Sequence, residues 1–432
     1  MFYRLKTLFI PKDIRLFKEV MLLAFPVIIS NVSRVFMHIT DTAMVGHLGK
    51  NPLVAVAMSG MIIWVAISVG IGFRIATQSV TARRLGQEKL SECGVSLRNG
   101  QFMCFIATVP LSFLGYFFSD YIVRLFLNDP DVIPLCVDYL SVVSFSVYFS
   151  VSAFVFQGFY TGIEKTKILM YVTIISNLLN IYLNAALIYG YKNIYLFFDS
   201  HGIEWVSILW AWHDFPELGV KGAAIATLLS SILMMIAYFL YLFNKEIRRK
   251  YKILKLTLDF KMMKKQFLIG YPQSISEVAL NLAFIMFYKI MGIIGTAQLA
   301  ATQVVFVIWH ASFLPAVGVG QACATLVGKY LGKEDINKAA QSMVEGLRGS
   351  FMIMGTMGLV FIFFPNQIVP LFTNDIEVIN LGIQILPWVG AIQFIDVFAI
   401  TLWFALSGAG DTKFTAYLGI IASWCIFVPF SY

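Results

Sequence analysis

The stretch VMLLAFPVIISNVSRVFMHITDTAMV, Val20 to Val45, decides how the rest of the chain is read. It exceeds the roughly 20 apolar residues that cross a bilayer, yet it carries Asn31, Arg34, His38 and Asp41 at spacings of three, four and three. At 3.6 residues per turn these four stack along one face of a helix. An ionised side chain at the bilayer centre costs about 2.5–3.5 kcal/mol on insertion scales, so such a face turns toward a bundle interior or a water-filled cavity. The segment is expected to be one wall of a polar space inside a membrane protein.

The composition agrees with that reading. The 432 residues are 59% hydrophobic and 13% charged with 39 Phe, more apolar surface than a soluble core can hide. Span-length apolar stretches recur at about 20–45, 53–80, 99–118, 134–157, 167–190, 221–243, 266–291, 298–326, 350–364, 379–405 and 414–432. Of the 32 Lys and Arg, 25 fall in segments 1–19, 83–98, 164–167, 244–265, 329–348 and 411–413, which alternate on one side of this layout. The positive-inside rule makes that side, and the N-terminus, cytoplasmic, in a multi-pass protein of the plasma or inner membrane. The net charge of +8 is thus a topological signal and points to no nucleic-acid partner. Residues 1–19 are basic without a small-residue cleavage site, which reads as a cytoplasmic lead-in. The five cysteines have no C-x-x-C spacing and imply neither disulfides nor a metal centre. The segment Gly190–Gly219 holds Asp199, His201, Glu204, His213, Asp214 and Glu217, again without regular ligand spacing, so no metal is expected there.

The chain also repeats itself at an offset of 246. Pro26 matches Pro272, Gly46 Gly292, Gly49 Gly295, Gly72 Gly318, Gly86 Gly332, Asn128 Asn374 and Gly162 Gly408. Six spans in a complete copy return the chain to the side it started from, so the copies are parallel repeats about an axis along the membrane normal. The expected fold is all-α: an N-lobe of six spans in 1–243, a basic cytoplasmic linker in 244–265 that contacts membrane lipids, and a C-lobe of five spans in 266–432. By the repeat, Tyr432 corresponds to Ala186 in the fifth span, so a twelfth helix is expected to be missing from this chain.

Several runs resemble the multidrug and toxic compound extrusion (MATE) family: T-D-T-A-M-V-G-H-L-G from Thr40, Q-G-F-Y-T-G-I-E-K-T-K from Gln157, G-V-K-G-A-A-I-A-T from Gly219, G-Q-A-C-A-T-L-V-G-K-Y-L-G from Gly320 and L-S-G-A-G-D-T-K from Leu406. The resemblance implies a V-shaped, two-lobed antiporter that exports amphipathic, often cationic compounds in exchange for Na⁺ or H⁺, with no other cofactor. It likewise places Asp41 and Asp396 as coupling acids and Asn180 with Asn184 as a pair completing an N-lobe cation site. Glu277 is the counterpart of the family's seventh-helix glutamate, nearly one turn early in register, and Gln303 matches a polar position of the eighth helix.

Those positions make chemical sense by themselves. A carboxylate in an apolar bundle has its charged form penalised, so a proton, a metal cation and a drug cation compete for it. His38 lies one turn from Asp41 and is expected to tune it by a hydrogen bond. Arg34 is a fixed positive charge that must pair with an acid or meet an anionic substrate group. The alternative function is therefore a flippase or exporter of a lipid-linked or anionic substrate of the same superfamily. No His-rich, Ser-Lys or paired-Asp constellation marks a membrane enzyme. The partners expected are a small-molecule substrate and membrane lipids, with the protein acting as a monomer.

Overall fold

A computed structural model of the chain describes residues 11–255 and 257–432; Arg4 and Lys6 of the basic lead-in, and the linker residue Leu256, lie outside them. The described residues are all-helical. The N-terminal half contains α1 (Ile14–Gly46), α2 (Lys50–Gly86), α3 (Leu90–Phe117), α4 (Ser119–Phe126), α5 (Ile133–Val143), α6 (Ser146–Gly162), α7 (Lys167–Asn184), α8 (Gly190–Ser200) and α9 (Gly219–Tyr241). After the short α10 (Lys245–Lys250) come α11 (Phe260–Ile294), α12 (Thr296–Gly332), α13 (Ile336–Phe363), α14 (Pro365–Ile368), α15 (Ile376–Ala409), α16 (Thr412–Ile421) and α17 (Val428–Phe430). Ten helices or helix runs are long and apolar enough to span, and α5 with α6, bent by 45° at Ser144–Phe145, make an eleventh. The protein is a multi-pass membrane protein.

The repeat read in the sequence is also a structural one. Helices α2 and α12 are both 37 residues long, and α3 and α13 both 28, with boundaries 246 apart. Capping follows the same offset. Asp13 accepts hydrogen bonds from the amides of Arg15 and Leu16 at the start of α1, and Asp259 accepts from Lys261 and Met262 at the start of α11. Such caps satisfy amides that the first helical turn leaves without partners. The copies diverge in two places. The span α5–α6 is broken, whereas its counterpart α15 runs on through Pro387, and the wide π-turn that follows α7 at Ala185–Tyr189 comes nine positions earlier in the second copy, at Ala422–Phe427 after α16.

Each half packs as a bundle. In the first, α2 lies against α3 and α6 while α9 closes the other side on α5, α6 and α7; in the second, α12 is gripped by α13 and α15. The lobes meet where α1 and α2 cross α12 and α11. Small residues let backbones approach there, which is how helices associate without a hydrophobic driving force. Gly86 faces the carbonyl of Lys329, and Gly332 faces that of Arg83, a reciprocal contact about the pseudo-twofold axis.

Hydrogen bonds between the lobes run from Asn31 Nδ2–Leu314 O (3.2 Å) and Ser274 Oγ–Val69 O (2.7 Å) toward the end that carries the basic loops. They include Gln78 Nε2 to Gln321 O (2.8 Å) and to Thr325 Oγ1 (2.9 Å). At that end Lys329 of α12 bridges Glu19 of α1 (3.0 Å) and Glu164 of the α6–α7 turn (2.6 Å). Toward the opposite end, no hydrogen bond crosses between the lobes among the described residues. The result is a V that is closed at the basic end.

The basic segment 244–265 is docked rather than loose. Arg98 of α3 donates to the carbonyls of Lys252, Ile253 and Thr257, and Asn99 exchanges hydrogen bonds with the backbone of Asp259. Its last part, from Phe260, is already the first turns of α11.

Candidate functional site

Asp41 lies near the end of α1, and α7 meets it with two amides. Asn184 Nδ2 donates to Asp41 Oδ1 at 2.5 Å and to Asn180 Oδ1 at 3.1 Å. Both asparagines are about 99% buried, and Asn184 Oδ1 has no hydrogen-bond partner. One turn earlier Asn177 Nδ2 donates to Ser33 Oγ at 2.8 Å, which ties α7 to α1 and holds the register. The π-turn begins at the residue after Asn184; wide turns of this kind recur at functional sites because they re-aim the side chains beside them. Tyr189 in that turn donates to Met44 O at 2.6 Å, fixing the end of α1. Tyr139 of α5 is buried within electrostatic range of Asp41. The three sequence-derived residues Asp41, Asn180 and Asn184 are thus brought together as a cluster of carboxylate and amide oxygens.

His38 does not join that cluster. Its side chain makes no hydrogen bond to Asp41, whose partner is Asn184, and it is exposed and within electrostatic range of Arg34. Arg34 itself donates to Asn31 Oδ1 at 3.1 Å and forms no ion pair with an acid among the described residues. Both residues stand on α1 where the lobes separate.

Glu277 and Asp396 occupy different parts of the second half. Glu277 sits midway along α11, and the charge within its range is Arg74 of the first lobe. Asp396 on α15 faces the Trp309 indole. Gln303 is exposed on α12, with no side-chain hydrogen bond among the described residues. The repeat shows how far the halves have diverged. The C-lobe positions equivalent to His38, Asp41, Asn180 and Asn184 are Phe284, Phe287, Ile426 and Phe430. Phe284 and Phe287 pack instead with Phe306 and Phe427 in an aromatic cluster with centroids 5.0–5.9 Å apart. One lobe has a polar interior at this level and the other an aromatic one.

Sequence reasoning placed Asn31 on the α1 stripe without a partner, noted Arg74 only as a basic residue inside a span, and did not select Tyr139 or Asn177. Arg74 had a signal, being an ionisable residue inside a span; Tyr139 had none among 19 tyrosines. In Gly190–Gly219 the side chains serve packing: Tyr182 stacks on Trp210 at 5.1 Å and accepts a hydrogen bond from Trp212 Nε1 at 2.6 Å. Among the described residues, no three His, Cys, Asp or Glu side chains come together as a metal site.

The sequence model of the family described as MatE matches twice, at residues 26–186 and 272–432, and these two matches are themselves 246 apart. The chain belongs to the MatE family. It is a membrane transporter of this family and not an enzyme. Among curated relatives, the "Probable multidrug resistance protein NorM" of Thermotoga maritima is 27% identical, with 96% of this MatE chain matching 85% of that protein. Its namesake from Photorhabdus laumondii is 26% identical, with 96% and 87% covered. Among solved structures, an "outward-facing conformation of a multidrug resistance MATE family transporter of the MOP superfamily" superposes with a TM-score of 0.84 at 21% identity, covering 96% of this chain and 88% of that one. A transporter of the MOP superfamily from Pyrococcus furiosus, described by a "reverse polarity of binding pocket", gives the same TM-score, identity and coverage. These likenesses show the two-lobed MATE fold.

Proposed function

We propose that the protein is a secondary antiporter that exports amphipathic drugs or metabolites from the cytoplasm, driven by inward movement of Na⁺ or H⁺. The observation that carries this is the orphaned Asn184 Oδ1 beside the Asp41 carboxylate and Asn180 Oδ1, deep in a lobe whose repeat partner has only apolar groups at those positions. A buried acceptor without a donor is costly, and the cost is relieved when a cation arrives. Hard oxygen ligands of this kind suit Na⁺, and the carboxylate by itself suits a proton. The NorM names of the relatives support drug export.

The rest of the cycle follows from two-state thermodynamics. Ion and substrate must each favour a different arrangement of the lobes, because a ligand that binds both arrangements equally shifts nothing. In the V closed at its basic end, the cytoplasmic side by the positive-inside rule, the ion enters from outside and reaches Asp41, Glu277 or Asp396. The lobes then rock to open the other way. Each positive charge moved inward contributes about 2.3 kcal/mol per 100 mV. Everted vesicles test the proposal, with substrate-triggered release of a preformed pH gradient measured while Na⁺ is varied independently. Asp41→Asn is expected to abolish coupled efflux with the protein still in the membrane. Unimpaired efflux in both Asp41→Asn and Asp396→Asn would remove the ion-site assignment.

A further inference from the structure

Arg74 is a buried cation with no bonded partner among the described residues. It lies in α2, and its side chain is 9% exposed. Nε is buried without a partner, and among the described residues the guanidinium makes no hydrogen bond or ion pair. It rests over the Phe154 ring at 5.8 Å. Helical side chains lean toward the N-terminus of their own helix. Arg74 therefore reaches back toward the open end, while Arg34, on the antiparallel α1, reaches down toward the basic end and Asn31. Arg34 stands where the lobes part, beside the Asn31–Leu314 hydrogen bond, and Arg74 lies within its electrostatic range. One acid, Glu277 of the opposite lobe, lies within electrostatic range of Arg74 without bonding to it.

The repeat shows that Arg74 is a local departure. Its equivalent is Gly320, and the space above Gly320 is filled by the Phe404 ring. In the first lobe the equivalent of Phe404 is Gly158, which lies against the backbone of Arg74. A bulky ring has been exchanged for a glycine on one helix and a glycine for an arginine on the next. An unpaired cation in a membrane interior is destabilising unless something neutralises it, and a guanidinium fork matches a carboxylate or phosphate with two parallel hydrogen bonds.

We infer that Arg74, together with Arg34, forms an anion subsite at the floor of the interlobe cavity that receives the acidic group of the exported compound. The compounds carried are then zwitterionic or anionic amphiphiles. Glu277 supplies partial neutralisation while the subsite is empty and is displaced when substrate binds. The inference rests on the reading that this cavity holds the substrate, and it adds to that reading the charge of what is carried.

The test uses two dyes that share one ring system, the free acid rhodamine 19 and its ethyl ester rhodamine 6G. Equilibrium binding to the purified full chain is followed by fluorescence anisotropy, and the readout is the ratio of the ester's Kd to the acid's. The unsubstituted protein is expected to prefer the acid about tenfold, Arg74→Gln to bring the ratio close to one, and Arg74→Lys to keep most of the preference. Because a ratio is read, a general loss of folded protein does not imitate the result. A ratio near one in the unsubstituted protein, or an unchanged preference in Arg74→Gln, overturns the subsite. Coupled efflux of the ester lost in Asp41→Asn but kept in Arg74→Gln would leave the pump standing even if the subsite fails.

Discussion

At the scale of single residues, the polar stripe on α1 was legible from its spacing, and its amide partners on α7 only through the family resemblance. The spacing of Asn31, Arg34, His38 and Asp41 puts them on one helical face, but which residue meets Asp41 depends on how α7 lies against α1. Asn184 meets it, and His38, the neighbour along the chain, looks elsewhere. Asn184→Ala removes one hydrogen bond to a charged group, about 1.5–3 kcal/mol, and an amide oxygen from the proposed ion site. The half-saturating concentration of the coupling ion is expected to rise about tenfold or more, measured as Na⁺ or H⁺ dependence of dye efflux in vesicles; an unchanged value would place the ion away from α7. Introducing a polar residue on the other side, as in Phe287→Asp, is expected to create no second site, because no amide stands at the equivalents of Asn180 and Asn184. The check is the number of ions bound per protein by calorimetry.

The elements were read well where the repeat guides them and less well where the copies differ. The 246-residue offset places α1, α2 and α3 on α11, α12 and α13, whereas the 45° break between α5 and α6 has no proline to announce it and its counterpart α15 keeps Pro387 in an unbroken helix. Glycines at the crossing of α2 and α12 carry the tightest demand. A Cβ at Gly86 or Gly332 would strike the backbone of the other helix, which has no way to yield locally. Gly86→Val and Gly332→Val are each expected to cost about 1–3 kcal/mol by overpacking, read as a lower unfolding temperature in detergent. Gly46→Ala, where nothing lies within 4 Å, is the control and should be near neutral. Equal behaviour of the three would show that the crossing does not hold the lobes.

For the whole molecule, the two lobes are pseudo-equivalent in backbone and unequal in charge where they close. Lys329 bridges Glu19 and Glu164, but the repeat equivalents of these three are Arg83, Lys265 and Gly410, so the other seam has no such bridge. Backbone geometry marks the same place. Gly410 has φ 90°, natural for glycine, and Glu164 holds the corresponding position at φ 63°. A left-handed glutamate is uncommon and is strained relative to glycine; here it aims its carboxylate at Lys329. The bridge is partly exposed, so it is worth about 1 kcal/mol at most per pair, enough to shift a balanced equilibrium severalfold. Lys329→Met is expected to raise, several-fold, the maleimide labelling rate of a cysteine placed at Gln78, in a Cys425→Ser background and in everted vesicles. No change in labelling would show that the bridge does not bias the lobes.

The sequence by itself determined the membrane class, the spans, the internal repeat and the helix face that carries Asp41, because hydropathy and helical period are local properties that each segment states without its neighbours. Which end of the V is closed, that Asn184 and not His38 bonds Asp41, and that Glu277 comes within electrostatic range of Arg74 across the lobes while Asp396 meets Trp309 were decided only by tertiary structure. Those are relations between helices far apart in the chain, and small residues and backbone approach at the crossings, which no periodicity encodes, set them.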